Sequence, residues 1–196
     1  MIGDSLEALL VSTGIVALAE VGDKTQLLSF VLAARYRKPL PIVLGILVAT
    51  LLNHALAAAV GAWITHALAP GTMRWLLGVS FLAMAAWALV PDRLDGDDAR
   101  ESTRWGVFGA TAIAFFLVEM GDKTQVATVA LAAKYAAIVP VVVGTTLGMM
   151  IANVPAVVLG ERIAHRLPVR LIHAVVAAIF AVLGLWVILG GSSLLD

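Results

Sequence analysis

The chain has 196 residues, 61% of them hydrophobic and only 13% charged, with a mean hydropathy of +1.00. No water-soluble core of this size needs such an apolar excess, so the expected solvent is a lipid bilayer. A net charge of +0 with no long basic run argues against a nucleic-acid partner, and the lack of cysteine excludes disulfides, thiolate metal sites and cysteine nucleophiles.

The amino end, Met1 to Glu7, carries Asp4 and Glu7 rather than the basic start of a cleaved signal peptide, so the first span is expected to be retained. Apolar stretches then cover roughly residues 5–34, 40–66, 72–90, 105–133, 138–160 and 168–190. Each is sufficient for a helix crossing about 30 Å of hydrocarbon, which predicts six transmembrane helices and an all-α membrane protein. Between the third and fourth spans, residues 92–104 form the long polar segment of the chain and read as a linker.

The linker divides two matching halves, residues 1–91 and 105–196, at a constant offset of 99 residues. Glu20 aligns with Glu119, Gly22 to Gln26 with Gly121 to Gln125, and Leu32 to Ala34 with Leu131 to Ala133. The register persists through Tyr36 and Tyr135, Gly45 and Gly144, Phe81 and Phe180, and Trp87 and Trp186. An odd number of spans per copy makes the second copy enter the membrane from the opposite side, so the expected architecture is two inverted three-helix repeats. Outside the motifs, Arg35, Arg37, Lys38, Arg93, Arg100, Arg104, Arg162, Arg166 and Arg170 fall on one side, and Arg74 and Lys134 on the other. The positive-inside rule makes the first side cytoplasmic, with the linker, and places both termini outside.

Ala8 to Ala19 and Leu27 to Ala34 are each too short to cross a bilayer, and so are Gly106 to Val118 and Val126 to Ala133. Only together do they span, which forces Glu20, Asp23, Glu119 and Asp122 into the membrane. Each full segment of about 30 residues would reach about 45 Å as helix, longer than the hydrocarbon, so tilt or a break is expected, with Gly22 and Gly121 as the break points. An unwound turn there would free carbonyl oxygens for a ligand.

A charged residue at mid-membrane costs at least about 2.5 to 3.5 kcal/mol, so two identical acidic clusters imply a use. Glu20 and Lys24 have the spacing of a helical ion pair, as do Glu119 and Lys123. Two such pairs read as structural salt bridges would still leave both Asp unexplained. Four acids against Lys24 and Lys123 leave a charge of minus two, the complement of one divalent cation if the clusters meet. Oxygens of Glu20, Asp23, Thr25, Gln26 and of Glu119, Asp122, Thr124, Gln125 suit hard ions such as Mn²⁺ or Ca²⁺, and protons would compete for them. An intramembrane aspartyl protease would need G-x-G-D, but Glu20 and Glu119 occupy its first glycine position; a phosphate-binding loop fails on upstream glycine spacing.

The two copies of E-x-G-D-K-T-Q, Glu20 to Gln26 and Glu119 to Gln125, resemble the signature of the small manganese and calcium cation/proton exchangers, which include bacterial manganese exporters and eukaryotic Golgi transporters. The resemblance covers essentially the whole chain. It implies a secondary transporter of a bacterial inner membrane rather than an enzyme. Its expected cargo is Mn²⁺, or alternatively Ca²⁺, exchanged for protons with no resident cofactor, and the acids of both motifs are its ligands. A channel without proton coupling is the other transport reading. Asn53, Asn153 and His54 in the second and fifth spans are secondary candidates for the cation or proton path, with His54 aligned to Asn153. Amides there serve equally to join helices, and a lone histidine more often packs. His66, His165 and His173 fall at span ends, where an interfacial role suffices.

Overall fold

The computed structural model describes residues 2–90, 106–159 and 169–189, and these hold eight helices and no strand. In chain order they are α1 (Ile2–Ala19), α2 (Lys24–Tyr36), α3 (Pro39–Ala67), α4 (Pro70–Ala88), α5 (Gly106–Glu119), α6 (Lys123–Tyr135), α7 (Ile138–Leu159) and α8 (Val169–Ile188). The polar linker 92–104, Gly160, Arg162, His165 and Arg166 lie outside the described residues.

Two of the expected apolar segments are therefore broken. Where a first span was expected, α1 and α2 meet at 69°, and where a fourth was expected, α5 and α6 are interrupted. By length and apolar composition, α3 and α7 can each cross a bilayer alone, and α1 with α2 can do so as a bent pair. Local chemistry sets several ends. Pro39 and Pro70 open α3 and α4, where a missing N–H costs nothing. The helices α2 and α6 close on left-handed residues Arg37 and Ala136, whose N–H groups bond Ala33 O and Ala132 O at 3.0 Å.

The halves interlock rather than stand side by side. Helix α7 packs on α1 and α2, α3 on α5 and α6, α3 on α7, and α4 on α8. Small residues set these approaches. A Cβ on Gly45 would lie 2.8 Å from Phe108 O and from Thr111 Cβ, and one on Gly144 2.5 Å from Leu9 O and 2.9 Å from Ser12 Cβ. Phe108 and Thr111 are the 99-residue counterparts of Leu9 and Ser12, so one backbone contact occurs twice. Phe81 and Phe180, also counterparts, stack at 6.2 Å between α4 and α8.

The polarity is inverted relative to a protein folded in water. Leu56 and Trp63 on α3 and Ile151 and Val158 on α7 are more than half exposed, while Glu20, Asp23, Ser29, Asn53, His54, Glu119, Asp122, Lys123 and Asn153 are buried. Apolar side chains outside and charge inside is the distribution expected of a chain solvated by lipid.

Candidate cation site between the two motifs

The site begins with its breaks. Gly22 and Gly121 have φ of 81° and 80°, the left-handed region that glycine enters without a Cβ clash. Gln26 Oε1 accepts the Gly22 N–H at 2.9 Å, and Gln125 Oε1 accepts the Gly121 N–H at 2.6 Å. Each glutamine thus satisfies a donor that the break would orphan. The amides also reach across: Gln26 Nε2 donates to Ala152 O at 3.1 Å and Gln125 Nε2 to Asn53 Oδ1 at 3.3 Å.

Asp23 and Asp122 stand at the N-cap positions of α2 and α6 with extended backbone, yet neither side chain caps its helix. Instead Lys123 Nζ is 2.6 Å from Asp23 Oδ1 and Lys24 Nζ is 3.0 Å from Asp122 Oδ1. Each lysine serves the other half's aspartate. The four-residue spacing that pointed to Glu20 with Lys24 presumes a continuous helix; Glu20 lies in the broken turn and Lys24 opens a new helix, so that geometry does not exist.

The glutamates are held by hydroxyls. Thr25 Oγ1 donates to Glu20 Oε2 and Thr124 Oγ1 to Glu119 Oε1. From the facing half, Asn153 Nδ2 lies 3.5 Å from Glu20 Oε2 and His54 Nε2 3.5 Å from Glu119 Oε1. Asn53 Nδ2 donates to Phe116 O at 3.0 Å and so ties α3 to α5. All four acids are 1% exposed or less, and among the described residues Glu20 Oε1 and Glu119 Oε2 have no hydrogen-bond partner.

One carboxylate oxygen each from Glu20, Asp23 and Asp122 lie within 4.8 Å of one another. That separation is about twice a metal–oxygen bond of about 2.3 Å, so a single hard cation can touch all three. Glu119, expected beside them, stands outside this trio with His54 and Thr124 as neighbours.

Two contributors were not read from the sequence. Ser29 donates to Asn153 Oδ1 at 2.7 Å and so orients the amide facing Glu20; its alignment with Thr128, one turn beyond Thr25 and Thr124, was the available signal. His173, expected at an interface, is buried, and its Nε2 lies 3.0 Å from Val21 O. It occupies one of the carbonyls that the break was expected to leave open.

The family model for the divalent cation/proton antiporter GDT1 matches residues 8–96 and again 107–194. The chain belongs to this family. A GDT1-family chain is a membrane transporter and not an enzyme, as the twin motifs implied. The "Putative manganese exporter" of Vibrio cholerae serotype O1 is 54% identical over 181 residues, covering 92% of this chain and 90% of that protein. The GDT1-like protein 3 of Oryza sativa, in both the indica and japonica subspecies, is 26% identical over 198 residues, covering 89% of this chain and 71% of each relative. No solved structure matches the chain.

Proposed function

We propose that this protein exports Mn²⁺ in exchange for protons, by alternating access around a mid-membrane site built from its two E-x-G-D motifs. The observation that carries the reading is the meeting of Glu20 and Asp23 with Asp122 of the other half in a buried core, their oxygens within 4.8 Å. Glu20, Asp23, Glu119 and Asp122 act as ligands, Thr25 and Thr124 orient the glutamates, and Lys24 and Lys123 hold the aspartates when no ion is bound. Their net charge of minus two complements one divalent cation. A carboxylate must shed its proton to bind metal, so loading one species displaces the other. Manganese as cargo is supported by the name of the Vibrio relative.

In this reading residues 1–91 and 105–196 are three-helix repeats of inverted orientation, joined by a cytoplasmic linker at 92–104. The protein sits in a bacterial inner membrane with both termini outside. Support comes from the paired contacts Gly45 to Phe108 and Gly144 to Leu9, from the family match in each half, and from the nine-to-two basic asymmetry. The test is purified protein in liposomes carrying an internal pH dye, supplied with Mn²⁺, Ca²⁺ or Mg²⁺. Proton movement that follows Mn²⁺ and vanishes in Glu20→Gln and Asp122→Asn is expected. Cation flux without protons would make the protein a channel, and absence of any flux would leave the motif carboxylates a structural network.

A further inference from the structure

The two halves of the site are not chemically equal. Helices α7 and α3 each send one polar side chain across to the other half's glutamate, Asn153 toward Glu20 and His54 toward Glu119, each at 3.5 Å. The two positions are counterparts at the 99-residue offset. The Asn153 amide is fully engaged: its oxygen accepts from Ser29 at 2.7 Å and its nitrogen donates to Met149 O at 3.1 Å. His54 is different. It is 0% exposed, and among the described residues neither ring nitrogen has a hydrogen-bond partner. A histidine buried only for packing ordinarily bonds at least one nitrogen, because an unmet polar group in a core costs about 1–3 kcal/mol. The carboxylate it faces has an unmet atom as well, Glu119 Oε2. An imidazole and a carboxylate buried side by side with unused lone pairs supply the donor types that a first-row divalent ion accepts.

We propose that His54 is a nitrogen ligand of the transported cation, acting with Glu119 at a position beside the all-oxygen trio of Glu20, Asp23 and Asp122, and that this nitrogen makes the transporter prefer Mn²⁺ to Ca²⁺. Ca²⁺ takes oxygen ligands, whereas imidazole binds first-row transition ions, so one nitrogen raises affinity for Mn²⁺ and not for Ca²⁺. The trio alone accepts both ions. This assignment rests on the transport reading above, but ligation can be measured without flux.

The experiment is pulsed electron paramagnetic resonance of Mn²⁺ bound to the purified full chain, beside Mn²⁺ and Ca²⁺ uptake into liposomes. The wild type is expected to show nitrogen coupling that changes frequency when its histidines carry ¹⁵N. In His54→Asn, which places Asn153's residue type at both counterparts, the coupling disappears. The ratio of Mn²⁺ to Ca²⁺ transport then falls at least about tenfold, a loss typical of residues that tune metal sites, while Ca²⁺ transport persists. Wild-type protein that binds Mn²⁺ without nitrogen coupling overturns the assignment, and so does a variant that loses both ions in proportion. Should His54→Asn fail to fold, His54→Gln repeats both the coupling and the selectivity measurements, because the isotope shift by itself does not distinguish His54 from the other three histidines. Coupling in a wild type that moves no cation would refute transport and leave the ligand assignment standing.

Discussion

Lys24 pairs with Asp122 in the other half rather than with Glu20 in its own motif, and this crossing can be measured as a coupling energy. The pair is 3.0 Å apart, with the lysine side chain 24% and the aspartate 1% exposed. At an effective dielectric near 20, unit charges at that distance attract by about 5–6 kcal/mol, most of which offsets desolvation of the carboxylate. Lys24→Met leaves a buried carboxylate without this cation and should cost about 2–4 kcal/mol, somewhat below the loss at a fully buried pair because the lysine side chain is 24% exposed. Asp122→Asn relieves that carboxylate, so the double variant should lose less than the sum of the two, with a coupling of about 1–3 kcal/mol. Unfolding in mixed micelles of rising dodecyl sulfate fraction, followed by the fluorescence of the five tryptophans, gives the four free energies. The comparison cycle combines Lys24→Met with Glu20→Gln and should show clearly weaker coupling. Coupling to Glu20 as large as that to Asp122 would refute the crossed arrangement and restore the pairing that helical spacing implies.

Two further outcomes follow from backbone geometry. Gly144→Ala forces a Cβ to within 2.5 Å of Leu9 O, a backbone atom that cannot swing aside, and should destabilise the protein by about 1–3 kcal/mol in the same unfolding assay. Gly14→Ala on α1, with nothing within 4 Å, should change stability by less than about 1 kcal/mol; equal losses at both positions would remove the close α1–α7 contact. Gly121→Ala meets no neighbour but must hold φ near 80°, which costs an ordinary residue about 1–2 kcal/mol, and should lower both stability and transport. Unchanged transport in that variant would show that the left-handed turn is dispensable.

Much of the site was legible because its physics is local. Two apolar runs too short to cross alone, joined by E-x-G-D-K-T-Q, pointed to acids held away from water, and all four are buried; glycine in each motif marked the break found at Gly22 and Gly121. The duplication was legible from offset alone, and contacts such as Phe81 on Phe180 occur between positions that match in sequence. What the sequence concealed depends on the third dimension. Periodicity assumes that a helix continues, so it paired Lys24 with Glu20, whereas the break releases Lys24 to the opposite half. Exact repetition also made Glu119 look like a twin of Glu20, but their partners differ, because His54 stands where Asn153 stands in the other half. His173 reaches Val21 O through packing of α8 that no spacing in the first half could announce.

The crossed lysines bear on how such a site can exist before an ion arrives. Four buried carboxylates without cations would repel one another, and in a lipid-solvated core that repulsion would part the halves or force the acids to protonate. Lysines fixed to their own glutamates would neutralise charge but leave no ion pair between the halves. Because Asp23 is matched by Lys123 and Asp122 by Lys24, the charge balance exists only while the two motifs face each other. Separating the halves would break both cross-half ion pairs in a medium that solvates ions poorly. The residual charge of minus two, assigned to a cation or to protons in the transport reading, then resides at the same junction. A ligand can shift a conformational equilibrium only through differential contacts with its states. Carboxylates drawn from both halves provide such contacts, since the distances from Glu20 and Asp23 to Asp122 change whenever one half moves against the other.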